Sequence, residues 1–381
     1  MTVAPEIKGW CPGALRPMPS GDGLVVRIRP PLGRLTPAQA AAIARAASTH
    51  GNGIIDLSAR ANLQLRGVTE ASHGMLIDDL RAQGLIDPDI ETESLRNLIV
   101  TPFRNATTAD LAATLTAALA RMPQLPGKFG FALDTGPRPM LTGASVDIRL
   151  ERSADNRLIL RPEGHPLGKP VTDLAADAIA MAEWFIAKGG VTNGRGRMAA
   201  LIARGVIPDG CDTAPAEALP QPAPGLHSEG ALAALAFGQM RAETLAALAT
   251  LGHEIRPTPW RMLFLVGATC LPDSPGLITD PADPILRVTA CTGAPACPQA
   301  QGDTRQLARS LAPHLPMGQS LHVSGCAKGC AHPGASDLTL VATASGYDLI
   351  RGGAAFDTPS LTGLSPQAIP DHLKAPHAPS L

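Results

Sequence analysis

Four of the seven cysteines stand in two close pairs, Cys291 with Cys297 and Cys326 with Cys330, a C-x5-C and a C-x3-C separated by 28 residues. Clustered thiols in a chain without an export signal read as a metal site rather than as a disulfide framework. A zinc ribbon more often carries C-x2-C knuckles on both sides, and the C-x-x-C of a thioredoxin-like redox pair is absent. Four thiolates can each take one corner of a [4Fe–4S] cluster; structural zinc and free core cysteines are the plainer readings of the same residues. The loops favour the cluster. Gly293, Pro295 and Pro298 shape the first, while Gly325 and Gly329 let the second approach an inorganic group closely. Cys11, Cys211 and Cys270 are scattered and take no role, and His332, two residues after Cys330, reads as a loop hydrogen-bonding residue ahead of a ligand.

Each pair follows a strand-like stretch, ILRVTA and SLHVSG, with the helix TRQLARSLAPHL between them and the hairpin DLTLVATASGYDLIRGG after them. An internal repeat precedes this region. GRLTPAQAAAIARAA from Gly33 matches GQMRAETLAALATLG from Gly238, and Ser58, Leu63, Leu65 and Gly67 match Thr258, Leu263, Leu265 and Gly267 at a constant offset of 200. The shared order of Gly, helix, turn and strand predicts a duplication. Between the copies, IVTPF and SVDIRL read as strands, and DLAATLTAALARM and VTDLAADAIAMAEWFIAK as helices. Residues 208–230, rich in Pro and polar residues, read as a linker or an inter-half loop. The expected plan is a first half repeat over 15–70, an α/β unit over 75–210, a second half repeat over 225–268 pairing with the first, a second α/β unit over 275–355 carrying the thiols, and a tail over 356–381 that wraps or frays.

Composition sets the limits. The 381 residues are 45 % apolar, enough for a sizeable interior, and the 38 Gly and 37 Pro promise many turns. With 32 basic against 33 acidic residues the net charge is −1, which argues against a broad nucleic-acid surface. No apolar run is long enough for a membrane span. The opening MTVAPEIKGW lacks the basic start and apolar core of a secretory signal, so a cytoplasmic chain is expected. GRGRMA over 194–199 matches a dinucleotide fingerprint, but it follows a helix-like segment, so no phosphate-binding geometry is predicted.

CTGAPACP and SGCAKGCAHP, in a chain with two half repeats, resemble the sulfite and nitrite reductase family. The resemblance covers nearly the whole chain. It implies an α+β fold of duplicated ferredoxin-like half repeats combined with two α/β units. It also implies that Cys291, Cys297, Cys326 and Cys330 hold a [4Fe–4S] cluster, the fourth bridging to sirohaem iron in the reductases. Arg60 in DLSARANLQLRG, Arg96 in SLRNLIV and Lys128 in LPGKFGFAL match the family's basic residues around the bound anion and tetrapyrrole carboxylates. Asn193, Arg195 and Arg197 in TNGRGRMA match an Asn/Arg-rich stretch near the tetrapyrrole. Arginine suits bidentate carboxylate contacts, and lysine supplies a compact charge or a proton.

Two departures narrow the resemblance. The reductases carry a second lysine two places after the first, where this chain has Gly130, and commonly Gln after the first arginine, where it has Ala61. Losing a cationic proton donor weakens a reductase reading. LP-x-KF-x-FAL with SLHVSGCAKGCAHP instead resembles the branch of the family that works in aerobic cobalamin biosynthesis. That resemblance implies an iron–sulfur monooxygenase acting on precorrin-3A, a polycarboxylate tetrapyrrole, with O2 as co-substrate. NADH would be the electron source, through a reductase partner or a cryptic site, and a mononuclear non-haem iron of unknown ligands would accompany the cluster. The alternatives are a sirohaem-dependent sulfite or nitrite reductase and a non-catalytic iron–sulfur electron-transfer protein.

Overall fold

The computed structural model describes residues 12–374 and divides them into two compact units. The larger comprises 12–18 and 25–279, and the smaller 19–24 and 280–374. Cys11 lies outside the described residues.

Along the chain, β1 (Met18–Ser20) and β2 (Gly23–Ile28) lead to α1 (Pro37–His50), β3 (Ile54–Leu57), β4 (Leu63–Val68) and α2 (Glu70–Ala82). Helix α1 starts where Thr36 and Gln39 close a capping box with Pro37 in the first turn, and it buries an alanine-rich face. Next come α3 (Ile90–Leu95), β5 (Leu98–Val100), α4 (Ala106–Leu119), β6 (Phe131–Asp134), β7 (Ile148–Arg152), β8 (Leu158–Pro162), β9 (Lys169–Pro170), α5 (Leu174–Ala187) and α6 (Met198–Ile202). The second half repeat follows, with β10 (Gly225–His227), β11 (Gly230–Leu235), β12 (Gln239–Arg241), α7 (Ala242–Thr250), β13 (Ile255–Pro257), β14 (Met262–Val266) and the short β15 (Leu277–Ile278).

The duplication is exact at the level of hydrogen bonds. Ser58 N donates to Asn62 O at 2.9 Å and Asn62 N to Ser58 Oγ at 3.2 Å. Two hundred positions on, Thr258 N donates to Met262 O at 2.9 Å and Met262 N to Thr258 Oγ1 at 3.2 Å. The turn places Ala61 and Arg261 in the same left-handed conformation, φ 57° and 61°. The two copies also exchange edges. β12 of the second pairs with β3 of the first, Met240 opposite Ile55, while Leu35 of the first bridges Ile255 of the second. Helices α1 and α7 pack together across this exchange.

The second sheet of the first α/β region has the order β5-β6-β7-β8-β9, its first three strands parallel and the rest antiparallel. The smaller unit repeats that plan. Its strands β16 (Val288–Ala290), β17 (Leu321–Ser324), β18 (Ser336–Thr343), β19 (Gly346–Gly353) and β20 (Leu361–Leu364) run in chain order, again three parallel and two antiparallel. Helix α8 (Arg305–Leu311) links the first two, and α9 (Ile369–Leu373) ends the described chain.

Two local readings change and a third narrows. ILRVTA is a strand only over its last three residues, because Pro284–Arg287 forms a 3-10 turn begun by Asp283. The tail does not fray through 356–374: β20 pairs with β19, and α9 buries Ile369 and Leu373. Of the two readings of 208–230, the inter-half loop is the one the bonds suit, since Ala216 N donates to Arg152 O at 2.8 Å and Leu219 N to Pro139 O at 2.7 Å.

Candidate functional site

The thiols belong to the smaller unit. β16 and β17 are adjacent and parallel, so the loops leaving their carboxyl ends emerge side by side. Cys291 is the first residue past β16, its N–H donating to Val323 O at 3.0 Å. Cys297 sits on a turn closed by its own N–H on Gly293 O at 2.8 Å, and Gln301 N ties the first loop to Gly325 O of the second at 2.8 Å. Glycine is required at both positions. Gly293 has φ 76°, and a Cβ there would stand 2.6 Å from Thr304 Oγ1. A Cβ on Gly325 would stand 2.6 Å from that of Ala300.

Cys291 Sγ lies 3.4 Å from Ser324 Oγ and 3.6 Å from His322 Nε2, and it accepts the Ala331 N–H at 3.4 Å. The Cys330 thiol is pushed up, first by desolvation and then by repulsion from Cys291, with Cys326 and Cys297 adding to it and Lys328 opposing it. Cys330 therefore feels the other three thiols. Among the described residues no group of three or more His, Cys, Asp or Glu closes to single-ion geometry. Four cysteines on two adjoining loops, one backed by an N–H donor, fit the donor set that a [4Fe–4S] cluster takes. His332 bonds Ala335 O at 3.1 Å and meets His322 edge-on at 5.8 Å between centroids. His322, fully buried in β17 against Cys291, was hidden in the sequence by its ordinary strand setting. Cys211 and Cys270 are not in these loops.

The basic residues belong to the larger unit. Arg60, on the β3–β4 turn, donates through Nη2 to Lys128 O at 2.8 Å. Beneath this contact is Gly130, where a Cβ would lie 3.0 Å from Asn97 O and 3.2 Å from Arg60 Nη1. Gly130 N donates to Asp147 Oδ2 at 3.0 Å, while Asp147 Oδ1 accepts Met198 N at 2.8 Å and Arg197 Nε at 2.9 Å. Asp147 is fully buried. Desolvation pushes its carboxyl up, and Arg197 and the two N–H bonds oppose the shift. It links two basic loops, and sequence reasoning missed it because its partners lie 17 and 50 positions away.

Arg195 and Asn193 stand on a tight turn, with Thr192 N on Arg195 O at 2.7 Å and Arg195 N on Thr192 O at 3.0 Å. Asn193 and Gly194 both have positive φ, 50° and 70°, as a type I′ turn demands. Arg96 is occupied otherwise. Its guanidinium forks onto Asp87 at 2.9 and 2.8 Å and donates to Arg29 O at 2.9 Å, while lining a narrow cleft with Ala61 and Asn62. Arg60 and Arg197 are therefore both tied to the 128–130 segment, Arg60 at Lys128 O and Arg197 through Asp147 at Gly130 N, with Asn193 and Arg195 on the turn beside Arg197. Arg96 is fixed by its own carboxylate. Lys128 and Arg195 are exposed and present their charges outward.

Sheet order, duplicated half repeats and paired cysteine loops define a protein of nitrite and sulfite reductase architecture. Residues 16–83 match the nitrite/sulfite reductase ferredoxin-like half domain. The structure of the Mycobacterium tuberculosis NirA protein superposes with a TM-score of 0.62, at 17 % identity, covering 92 % of this chain and 79 % of that one. A ferredoxin–nitrite reductase of Synechococcus elongatus is 24 % identical, over 94 % of this chain and 86 % of its own. A precorrin-3B synthase of Sinorhizobium sp. is 32 % identical over the same shares, 94 % and 86 %. The chain belongs to the precorrin-3B synthase family.

Proposed function

We propose that the chain is a precorrin-3B synthase, an O2-dependent monooxygenase that hydroxylates precorrin-3A at C20, with a ring-A acetate closing as a γ-lactone, in aerobic cobalamin biosynthesis. The 32 % identity to a precorrin-3B synthase over 94 % of the chain carries this reading. One oxygen atom enters the substrate, and the electron pair of NADH, delivered directly or by a reductase partner, takes the other to water. Cys291, Cys297, Cys326 and Cys330 hold a [4Fe–4S] cluster, which when bound supplies one-electron transfer. A mononuclear non-haem iron belongs to the same reading, with no ligands assigned.

The chain's own residues bind and orient the macrocycle. Lys128 and Arg195 meet substrate carboxylates with exposed charges, and Arg60 and Asn193 add directed donors. Arg197, held by Asp147, and Arg96, held by Asp87, position the loops that carry them. Gly130 supports this reading over a sirohaem reductase, because it leaves the site without the second lysine that the resemblance to the reductases implies as a proton donor. Among the described residues no helix is long and apolar enough to cross a membrane, and a cytoplasmic setting suits the oxidation-sensitive thiols.

Anaerobic purification with iron, sulfide and absorption analysis tests the reading. The expected result is about four iron and four sulfide, further iron, no Soret-type haem band, and a product one oxygen heavier when precorrin-3A and O2 are supplied. A strong sirohaem band with sulfite or nitrite reduction overturns it, and zinc without sulfide removes both enzyme readings.

A further inference from the structure

Strands β5 and β6 of the larger unit occupy the places that β16 and β17 occupy in the smaller, first and second in sheets of the same order. At their carboxyl ends the larger unit has no thiols. It has a pocket of about 510 Å³, entirely its own, between Thr101 after β5, Asp134 at the end of β6, and the strap over 219–223. The strap is pinned at its base: Arg138 donates to Glu217 O at 3.0 Å and to Ala218 O at 3.2 Å, and Leu219 N to Pro139 O at 2.7 Å.

Two polar atoms of the lining have no hydrogen-bond partner among the described residues, Thr101 Oγ1 and Asp134 Oδ1. Their residues are 1 % and 3 % exposed. The other Asp134 oxygen accepts Met140 N at 2.6 Å and Leu141 N at 2.7 Å, so the carboxyl is fixed with Oδ1 left over. A buried acceptor left unpaired costs about 1–3 kcal/mol, and native proteins rarely keep two in one place without a ligand or a water to meet them. The lining sets the apolar Phe103, Met140 and Pro220 beside the polar Arg138, His227 and Glu229, and Phe103 already holds aromatic neighbours in His227 at 5.2 Å and Phe264 at 4.6 Å. The aromatic side of the wall suits the face of a flat ring.

We propose that this pocket binds a flat nitrogen heterocycle bearing an NH2 group, as a carboxamide or a ring amine, donating to Asp134 Oδ1 and Thr101 Oγ1 with its ring against Phe103. The volume is that of a small-ligand site. The ligand class follows from the pocket's own lining and does not rest on the catalytic reading.

Ligand-observed NMR and calorimetric titration of the full, cluster-loaded chain with nicotinamide, adenine and nicotinate test it. Nicotinamide or adenine should saturate the site, the arm that does so naming the source, and nicotinate, with a carboxylate facing Asp134, should bind at least about tenfold more weakly. Asp134→Asn keeps a carbonyl for the two backbone N–H groups and turns an NH2 into the pocket, so the preference should invert toward nicotinate. Thr101→Val should weaken amide or amine binding without moving the melting temperature. Should Asp134→Asn not fold, Leu219→Trp, which fills the pocket from the strap, must abolish binding. Absence of saturable binding at millimolar nicotinamide and adenine, equal binding of nicotinate, or a folded Asp134→Asn with unchanged preference overturns the proposal.

Discussion

The two half repeats share a backbone and differ in almost everything it carries. On β4 and the turn before it the first copy has Arg60, Asn62, Gln64 and Arg66, and the second has Trp260, Met262, Phe264 and Val266 at the same places. The first copy buries charge. Arg29 pairs with Glu93 at 3.2 Å and Arg66 faces Asp56 at 3.9 Å, all four residues buried, while Arg27 donates twice to Gln64. The second copy buries Met262, Leu263, Phe264 and Leu265 against an equally apolar β11, and Trp260 packs on the cluster of Ile99, Ala132 and Val146. One copy therefore presents a polar surface and the other serves as its dry foundation. A fold sets where side chains stand; their chemistry decides which copy meets a ligand.

Exchanging residues between the copies tests that division. The largest effect is expected for Phe264→Gln, which gives the foundation the residue of the polar copy. Losing a fully buried aromatic and burying an amide should cost about 3–5 kcal/mol, read as a fall in the urea midpoint. A loss below 1 kcal/mol would show that the second copy is not a packed base. Arg60→Trp makes the reverse exchange. Removing a hydrogen-bonding charge should weaken precorrin-3A binding by about 10- to 100-fold, on the order of 1.5–3 kcal/mol, with little change in melting temperature. Unchanged affinity would take Arg60 out of the binding set.

Glu254 joins the copies, accepting Arg34 of the first at 2.9 Å and Arg256 of the second at 2.7 Å. Desolvation pushes its carboxyl up, but the bonds to Arg34 and Arg256 prevail and hold it below the usual 4.5. A carboxyl lowered by folding adds stability that is complete above the unfolded value and disappears as pH falls through the folded one. Glu254→Gln should therefore lose about 1–2 kcal/mol at neutral pH, the partial exposure of the site discounted, and the gap to the native chain should close on acidification below pH 4.5. A gap independent of pH would assign the effect to packing. The smallest change is Ala61→Gly, which relieves the left-handed turn in one copy only; a gain of no more than about 1 kcal/mol in calorimetric stability is expected, and a loss would mean that the methyl group is packed.

Much of this was legible along the chain because it is local or periodic. The four cysteines reveal themselves by spacing, and Ser58 and Thr258 with their following leucines reveal the repeat by a fixed offset. The unread parts depend on distance. Asp147 is an ordinary aspartate until burial brings Gly130, Arg197 and Met198 to its two oxygens, and Arg96 is a free cation until folding turns Asp87 toward it. The segment 208–230 has the composition of a linker, and the bonds of its 217–219 stretch to Arg138 and Pro139, unreadable along the chain, are what make it a wall. His322 and His332 show the same contrast, since proximity in sequence drew attention to the second while the strand register put the first beside Cys291.

The exchange of edges between the copies, Met240 beside Ile55 and Leu35 beside Ile255, has a consequence for how the chain is made. The first copy's sheet takes its edge strand β12 from the second, so a ribosome that has released only the first has produced a protein with a sticky, unfinished margin. Strands some 200 positions apart must find each other before either is safe, which predicts slow acquisition of structure and dependence on chaperones during synthesis. Expressed alone, 12–210 should therefore aggregate, and co-expression of 211–279, which brings β12, should rescue it.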